Sequence, residues 1–281
     1  MTRTNTVREL LALAERSMES INSARLDAEV LLAKCMSTDR ASLYVRPEQE
    51  VTEDIVTNFH YLLSKRKDYY PLAYLIGKKE FWSLELLVDQ HTLIPRPETE
   101  CLVETALEMI QKHQPEDILD MGTGSGAIAL AIASERPECR VLAIDLCHNA
   151  LAVSTENARK HGIANVEFLQ SDWFSALQGR QFDMILSNPP YVESADCGFI
   201  SGEIRHEPRQ ALDGGIHGMR AFTQLIPAAM HYLKPKGHLI LEHGYKQAQA
   251  IREMLLANQY QNIVTKQDYA GLDRLSFAQW P

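Results

Sequence analysis

Four consecutive residues, Asn188-Pro189-Pro190-Tyr191, combine hydrogen-bond acceptors with a flat aromatic surface. A residue that precedes a proline is pushed into an extended conformation, and a proline has no N–H of its own. The backbone carbonyls around Pro189 and Pro190 are therefore available to a ligand. The side-chain oxygen of Asn188 is a second acceptor, and the ring of Tyr191 offers a platform for a planar group. The tetrapeptide predicts a socket for an amino group on a planar ligand.

A glycine-rich loop follows an apolar stretch upstream of this tetrapeptide. Its residues are Gly122, Thr123, Gly124, Ser125 and Gly126. Glycines permit positive φ angles and let a ligand approach the backbone closely. Asp145 ends the next apolar stretch, where a carboxylate can accept hydrogen bonds from the ribose hydroxyls of a nucleoside. The loop and Asp145 together predict a site for a nucleoside-containing cofactor, although the glycines alone also fit a dinucleotide-binding pattern.

Asp172 and Trp173 follow a third apolar stretch. A carboxylate there could accept a hydrogen bond from an adenine amino group, and an indole face could stack on the ring. A surface acid next to a core tryptophan is an equally good interpretation of the pattern. The residues alone leave both interpretations open.

The elements that must position these groups form an alternating series from Asp117 onward. Strands are predicted near residues 118–121, 140–146, 166–169, 182–186 and 238–241, and helices follow the glycine loop and cover residues 149–161 and 222–232. Such alternation predicts a mostly parallel sheet with helices on both faces. Ligands in such sheets bind outside the carboxyl ends of the strands, so the loop, Asp145 and the tetrapeptide should share one crevice.

The chain before this series predicts a small domain made only of helices. Apolar residues recur at helical spacing from Val7 and again after a possible cap at Ser23, and a third helix is expected from about Thr52 to Lys67. We predict a helical substrate-recognition domain over residues 1–75 and an α/β domain over residues 114–281. Residues 76–113 are predicted to link them through a β-hairpin and a helix that Pro97 begins.

Composition limits the classes of function. The net charge of -9 opposes long-range attraction to nucleic acid phosphates, and we interpret the clusters Lys65-Arg66-Lys67 and Lys78-Lys79 as solvated surface. The ten histidines show no metal-binding spacing. The five cysteines form no C-x-x-C pair, which favours a reducing compartment. No apolar run is long enough to span a membrane. We expect a cytoplasmic protein without a metal, a membrane contact or direct nucleic acid binding.

With these motifs assembled, nearly the whole chain resembles the peptide-chain-release-factor glutamine methyltransferases. The segments that carry the resemblance are Leu93–Glu100, Asp120–Gly126, Asn188–Tyr191, Glu207-Pro208, Ala211-Leu212, Gly218, Leu239–Glu242 before Gly244, and Gly271–Arg274. The stretch Leu93–Glu100 is the sharpest marker, because general nitrogen methyltransferases lack it. His206 departs from the family, where an aromatic or apolar residue is more frequent.

The resemblance implies a class I, Rossmann-like methyltransferase domain with a final antiparallel strand. It implies S-adenosylmethionine at Gly122–Gly126, Asp145, Trp173 and Asn188. It implies that Asn188, Pro189 and Tyr191 are catalytic, and that Asn188–Tyr191 hold the glutamine of the Gly-Gly-Gln loop of bacterial release factors. We assign no general base, and the roles of Arg96, Asp172 and Glu242 stay open.

Three alternatives remain. An adenine-N6 methyltransferase acting on DNA or RNA shares the Asn-Pro-Pro-Tyr socket, and a basic face around the crevice would favour it. A nicotinamide-dependent oxidoreductase could use the glycine loop, but it leaves the tetrapeptide unexplained. A release-factor-binding protein without catalysis is the third alternative, and the intact tetrapeptide argues against it.

Overall fold

The structure is a computed structural model that describes residues 5–113, 117–197 and 202–281, without the side chains of residues 111–113 and 197. It divides into two compact units. The first unit contains the chain up to Gly77 and a later segment, Gly202–His206. The second contains the chain from Lys78 onward except that segment, so residues 76–113 belong mostly to it. The expected boundary at residues 113 and 114 falls beside residues outside the described part.

The first unit is a bundle of short helices around an apolar core. The helices are α1 Val7–Ser17, α2 Ala24–Cys35, α3 Arg40–Val45, α4 Glu53–Lys67 and α5 Leu72–Ile76. Helix α1 begins with a capping box in which the amide of Glu9 donates to the Thr6 hydroxyl, and the amide of Thr6 donates to the Glu9 carboxylate. Leu31 and Phe59 are fully buried in the core.

The predicted all-α class of this unit is confirmed, with one addition and one correction. The addition is a pair of two-residue strands, β1 Asn5–Thr6 and β2 Glu50–Val51, which run antiparallel. Two residues are too few for a strand to show a period-two pattern. Ser23 makes no side-chain cap, because its hydroxyl donates to the Asp27 carboxylate instead, with an O–O distance of 3.0 Å.

The segment Gly202–His206 is held in the first unit by charged side chains. Arg66 is 2% exposed and donates from Nε to Asp27 Oδ2 at 2.6 Å and from Nη2 to Glu203 Oε1 at 2.7 Å. Arg205 donates from Nη2 to Asp68 Oδ1 at 2.6 Å. The interpretation of Lys65-Arg66-Lys67 as solvated surface is therefore wrong for Arg66, which lies on the inner side of α4.

The second unit begins with a hairpin and a helix. Strands β3 Lys78–Phe81 and β4 Leu84–Leu87 pair antiparallel. A 3-10 helix, Pro97–Thr99, leads directly into α6 Glu100–His113. Proline at the first position suits this start because its missing N–H would have no helical partner there.

A seven-stranded sheet in the order β10-β11-β9-β8-β5-β6-β7 forms the centre of the second unit. Its strands are β5 Asp117–Met121, β6 Arg140–Asp145, β7 Val166–Gln170, β8 Phe182–Ser187, β9 Leu233–Glu242, β10 Gln261–Gln267 and β11 Asp273–Gln279. Strands β5 to β9 pair in parallel, and β11 runs antiparallel to both β9 and β10. The predicted doubly wound sheet is confirmed, with its antiparallel strand inside the sheet rather than at the edge.

Besides α6, the second unit contains α7 Ala127–Glu135, α8 His148–His161, α9 Ser194–Cys197, α10 Arg209–Leu212, α11 Arg220–Ala229 and α12 Ala248–Ala257. The longer helices pack on both faces of the sheet, whereas α9 and α10 lie in the loop between β8 and α11. Helix α7 follows the glycine loop, and every residue from Ala127 to Ala133 is buried. Helices α11 and α12 pack in the cluster on the opposite side. An apolar cluster thus covers each face of the sheet, and the carboxyl ends of the parallel strands extend from this packed core.

Candidate functional site

The glycine loop connects β5 to α7 through left-handed backbone conformations. Gly122, Gly124 and Gly126 have φ angles of 75°, 56° and 85°. A Cβ atom on Gly126 would lie 2.9 Å from Leu130 Cδ1, so this position also requires glycine for packing. The amides of Gly122 and Thr123 both donate to the Ile144 carbonyl at 2.9 Å, which fastens the loop to β6.

Asp145 ends β6 and faces the glycine loop. Its Oδ2 accepts from the Gly124 amide at 2.9 Å, and its Oδ1 accepts from the Cys147 amide at 2.8 Å. Burial raises the pKa of this carboxyl. A carboxylate oxygen can accept two hydrogen bonds, and each Asp145 oxygen accepts one from the backbone, so both can still accept one from a ligand. The backbone bonds fix the carboxylate in one orientation.

A cavity of about 160 Å³ opens at this carboxyl edge. Six of the predicted site residues line it, namely Gly122, Gly124, Asp145, Trp173, Asn188 and Pro190. Asp172, whose role the sequence left open, also lies on its wall. Among the described residues, Thr123, Ser125, Gly126, Pro189 and Tyr191 are not part of the cavity lining. The structure thus brings the loop, β6, the end of β7 and the tetrapeptide to one cavity.

Sequence reasoning gave no role to Asp120, which lies in β5 beneath the loop. Its Oδ2 accepts from the Thr123 hydroxyl at 2.6 Å and from the Ala129 amide at 3.2 Å, while its fully buried Oδ1 has no partner. Burial raises the pKa of Asp120 to about 7, and the charge of Asp145 adds to this effect. The signal in the sequence was an acid inside the predicted strand 118–121, whose other residues are apolar.

Asn188 begins the tetrapeptide at the end of β8. Its side-chain nitrogen donates to the hydroxyl oxygen of Thr99 at 3.1 Å. This bond uses the amide nitrogen and leaves the side-chain oxygen as the acceptor at the cavity wall. Thr99 is buried at the end of the 3-10 helix, within the marker segment Leu93–Glu100, and sequence reasoning did not single it out.

The backbone after the tetrapeptide is clamped by Gln247. Its Nε2 donates to the carbonyl of Tyr191 at 3.0 Å and to that of Gly218 at 3.2 Å, while its Oε1 accepts from the Gly244 amide at 2.8 Å. A Cβ atom on Gly218 would overlap the Tyr191 carbonyl oxygen, and φ at Gly218 is 67°. The chain following the socket is therefore folded tightly onto the loop that precedes α11.

Tyr191 points its hydroxyl at a buried acid. The hydroxyl donates to Glu242 Oε1 at 3.3 Å. Glu242 ends β9, is 1% exposed, and its buried Oε2 has no hydrogen-bond partner. Burial raises the pKa of Glu242 to about 7, against the smaller lowering effects of the Thr99 hydroxyl and Arg274. Burial, then the charge of Glu242, raises the pKa of the Tyr191 hydroxyl, so it stays a hydrogen-bond donor.

The marker segment is joined to the loop after the tetrapeptide by Glu207. Its buried Oε2 accepts from the Ile94 amide at 3.1 Å, and its Oε1 accepts from the Arg96 guanidinium. Arg96 therefore pairs with a buried acid rather than with a surface one. Arg274, in the predicted Gly271–Arg274 motif, donates to Asp268 Oδ2 at 3.1 Å.

The described residues contain neither a candidate metal site nor a candidate membrane span. Among the residues that the structure describes, no group of three or more His, Cys, Asp and Glu side chains could hold a metal ion. None of the described helices is both long enough and apolar enough to cross a membrane. Lys78 of the second basic cluster pairs with Glu85 at 2.5 Å.

Comparison with known proteins assigns both parts of the chain to families. Residues 9–77 match the PrmC N-terminal domain family, and residues 99–216 match the Methyltransferase small domain family. The release factor glutamine methyltransferase of Salmonella typhimurium is 44% identical over 263 residues, covering 94% of this chain and 95% of the relative. The enzyme of the same name from Shewanella oneidensis is 42% identical over 261 residues, covering 93% of this chain and 91% of the relative.

Solved structures share the fold at low identity. The hMettl16 catalytic domain, solved in complex with MAT2A 3'UTR hairpin 6, has a TM-score of 0.60 and 13% identity, with 79% of this chain and 91% of that chain covered. A methyltransferase from Pyrococcus furiosus has a TM-score of 0.51 and 20% identity, with 70% and 88% covered. The second unit thus has the class I methyltransferase fold.

Proposed function

Because this chain belongs to the release factor glutamine methyltransferase family, we infer that it is a protein-(glutamine-N5) methyltransferase. The methyl donor is S-adenosylmethionine. The acceptor is the side-chain amide nitrogen of the glutamine in the Gly-Gly-Gln loop of bacterial peptide chain release factors.

Residues on the cavity wall fit the cofactor. The positive φ angles of Gly122 and Gly124 bring bare backbone to the cavity, and Asp145 presents a carboxylate held by two amides. We assign the ribose to Asp145 and a ring face to Trp173. Thr123 and Gly126 act by holding the loop, since the Thr123 hydroxyl donates to Asp120 and Gly126 packs on Leu130. Ser125 acts in the same way through its carbonyl, which accepts from Asn157 Nδ2 at 2.9 Å. S-adenosylmethionine supplies an electrophilic methyl group on a sulfonium.

Asn188 and Pro189 would hold the acceptor nitrogen. A glutamine amide nitrogen is a poor nucleophile because its lone pair is delocalised into the carbonyl. Hydrogen bonds from its two hydrogens to Asn188 Oδ1 and to the Pro189 carbonyl orient it and favour a localised lone pair. The same oxygens stabilise the positive charge that develops on nitrogen during transfer. Pro190 and Tyr191 complete the platform for the planar amide.

The observation that carries this assignment is the bond from Asn188 Nδ2 to the Thr99 hydroxyl. It directs an acceptor, not a donor, to a ligand, as an –NH2 group requires. No side chain is assigned as general base, because the methylated amide can lose its proton to water after transfer.

We propose that the first unit recognises the release factor and that the protein acts in the cytoplasm. No disulfide joins the cysteines whose side chains the structure describes, and the side chain of Cys197 lies outside them. A reducing compartment is the usual setting for cysteines outside disulfides. The net charge of -9 disfavours direct nucleic acid binding.

The test offers the protein labelled S-adenosylmethionine with a release factor, with the same factor whose loop glutamine is replaced by glutamate, and with duplex DNA and RNA. Label should enter only the first of these, at the loop glutamine identified by mass spectrometry. Asn188→Ala should lower methyl transfer by roughly ten- to a hundredfold while cofactor affinity changes little. Label in nucleic acid, or in the glutamate-containing factor, would contradict the proposal.

A further inference from the structure

A buried set of side chains extends from Asn188 away from the cavity. Asn188 Nδ2 donates to Thr99 Oγ1 at 3.1 Å, and the Tyr191 hydroxyl donates to Glu242 Oε1 at 3.3 Å. The Thr99 hydroxyl also interacts with Glu242, because it lowers the pKa of that carboxyl while burial raises it. Both Thr99 and Glu242 are almost fully enclosed. Two members of the tetrapeptide are therefore connected to a single acid.

Counting hydrogen atoms gives this set a direction. In its ionised form Glu242 only accepts hydrogen bonds, and the Thr99 hydroxyl has a single hydrogen to donate. The Thr99 oxygen accepts from the –NH2 end of Asn188 at 3.1 Å, which leaves the single hydrogen of the hydroxyl to point toward Glu242. The oxygen of the Asn188 amide is then directed the other way. The two ends of an amide are nearly equal in size, so without such a partner either orientation would fit.

We propose that Thr99 and Glu242 are positioning residues which fix the orientation of the Asn188 amide, so that the site accepts a glutamine –NH2 and rejects the isosteric carboxylate of a glutamate. The proposal rests on the proposed function of this site. It gives the marker segment Leu93–Glu100 a physical role, since that segment carries Thr99 into contact with the tetrapeptide. Rejection follows because Asn188 Oδ1 would face a carboxylate oxygen with no hydrogen between them.

The most direct test replaces the hydroxyl of Thr99. Thr99→Val keeps the shape of the side chain but cannot accept from Asn188 or donate to Glu242. Thr99→Ser keeps the hydroxyl and should restore wild-type behaviour. Thr105→Val is a matched control, because Thr105 is also buried and its hydroxyl donates to a carbonyl within α6, that of Cys101, at 2.8 Å.

Two quantities are measured for each variant. The first is kcat for methylation of a release factor. The second is the affinity of the enzyme, loaded with S-adenosylhomocysteine, for two loop peptides that differ only in Gln or Glu. The Thr99→Val variant should lose roughly tenfold or more in kcat and at least roughly tenfold of the preference for the Gln peptide, because one hydrogen bond of the socket is no longer oriented. Cofactor affinity and melting temperature should stay close to those of Thr105→Val.

Glu242→Gln provides a second, nearly isosteric variant at the far end of the set. The glutamine amide can donate as well as accept, so Thr99 is no longer forced to donate toward position 242. The preference for the Gln peptide over the Glu peptide should therefore fall as it does in Thr99→Val. Loss of kcat with an unchanged preference would mean that Thr99 only supports the fold, and unchanged values for both would also overturn the proposal. The proposed function fails separately, if the wild-type protein transfers no methyl group to the release factor.

Discussion

At the scale of single residues, Asp145 carries the assignment of the cofactor. Asp145→Ala removes the only carboxylate at the end of β6 that faces the loop through Gly124. Loss of a charge-assisted hydrogen bond to a ribose hydroxyl costs about 1.5–3 kcal/mol, so calorimetry should find S-adenosylmethionine binding weakened by roughly tenfold or more. Unchanged affinity in a folded variant would remove Asp145 from the site.

Asp172→Ala belongs in the same measurement, because Asp172 is an exposed acid on the wall of the same cavity. The sequence left two interpretations of Asp172 open, and the same titration separates them. Weakened binding would identify it as the acceptor for the adenine amino group. Unchanged binding would leave it as a surface acid.

The buried carboxyl of Asp120 predicts a pH dependence of stability. Burial raises its pKa from 3.8 to about 7 in the folded protein, whereas the unfolded chain keeps the ordinary value. The folded state therefore binds the proton more tightly. The stability that this contributes is complete below about pH 4 and is lost as the pH rises through about 7. Asp120→Asn does not titrate, so it should gain stability relative to the wild type as the pH rises.

Urea unfolding of both proteins between about pH 5 and pH 8 measures this difference. The free energy of unfolding of Asp120→Asn minus that of the wild type should increase along the series. A difference that stays constant with pH would mean that the carboxyl titrates normally in the folded protein.

The residues of the socket could be predicted from sequence, but their supports could not. Asn188-Pro189-Pro190-Tyr191 and Asp145 carry local signals in their own chemistry. Thr99 and Glu242 acquire their roles only through contacts with residues that are distant along the chain. A threonine after Pro97-Glu98 looks like part of a helix start, and an acid at a strand end has an ordinary structural explanation.

At the scale of elements, the turn before α11 predicts a defect that is specific to the active site. Gly218 and Gly162 have φ angles of 67° and 66°, but a Cβ atom would overlap the Tyr191 carbonyl oxygen only at Gly218, while Gly162 has open space. Both Gly→Ala variants should lose about 1 kcal/mol from backbone strain. Gly218→Ala should in addition lower kcat by roughly tenfold or more, because it displaces the tetrapeptide.

Melting temperatures and methyl transfer by the two glycine variants check this expectation side by side. Equal activity in Gly218→Ala and Gly162→Ala would show that the tetrapeptide tolerates displacement by the turn.

The strong periodic elements were predictable, and the short ones were not. Strands β6, β7 and β8 lie within a residue of their predicted positions. Strands β6 and β8 are mostly buried apolar runs between polar loops, whereas β7 is a half-exposed edge strand that Val166, Phe168 and Leu169 mark in the sequence. Strand β9 begins at Leu233, earlier than predicted, since Lys234, Pro235 and Lys236 hide its start. The pair of β1 and β2 and the six-residue helix α3 are too short to show a period.

At the scale of the whole molecule, recognition of an intact release factor is expected to need the surface of the first unit. Val45 and Tyr61 are 76% and 59% exposed there, and Leu256, in α12 of the second unit, is 69% exposed. The double variant Val45→Ser/Tyr61→Ser should raise KM for the intact factor by about fivefold or more, as loss of apolar contact at an interface does. Leu256→Ser is the matched control and should not.

A short Gly-Gly-Gln peptide provides the internal standard for these kinetics, since it can reach the socket without the rest of the factor. Neither variant should alter kcat/KM for the peptide. An unchanged KM of the double variant for the intact factor would contradict a recognition role for this surface.

The first unit is discontinuous along the chain, and this has a consequence during protein synthesis. A ribosome adds about 5–20 residues per second, so on the order of ten seconds separate Arg66 from its later partner Glu203. During that interval Arg66 can pair with Asp27 but not with Glu203, and Asp68 has not yet met Arg205. The nascent helical bundle is therefore completed only after β5 to β8 have been translated. The first unit therefore cannot be completed until the ribosome has translated the tetrapeptide and the segment that ends at His206. A ribosome that stalls before His206 would carry a helical bundle that lacks its last segment.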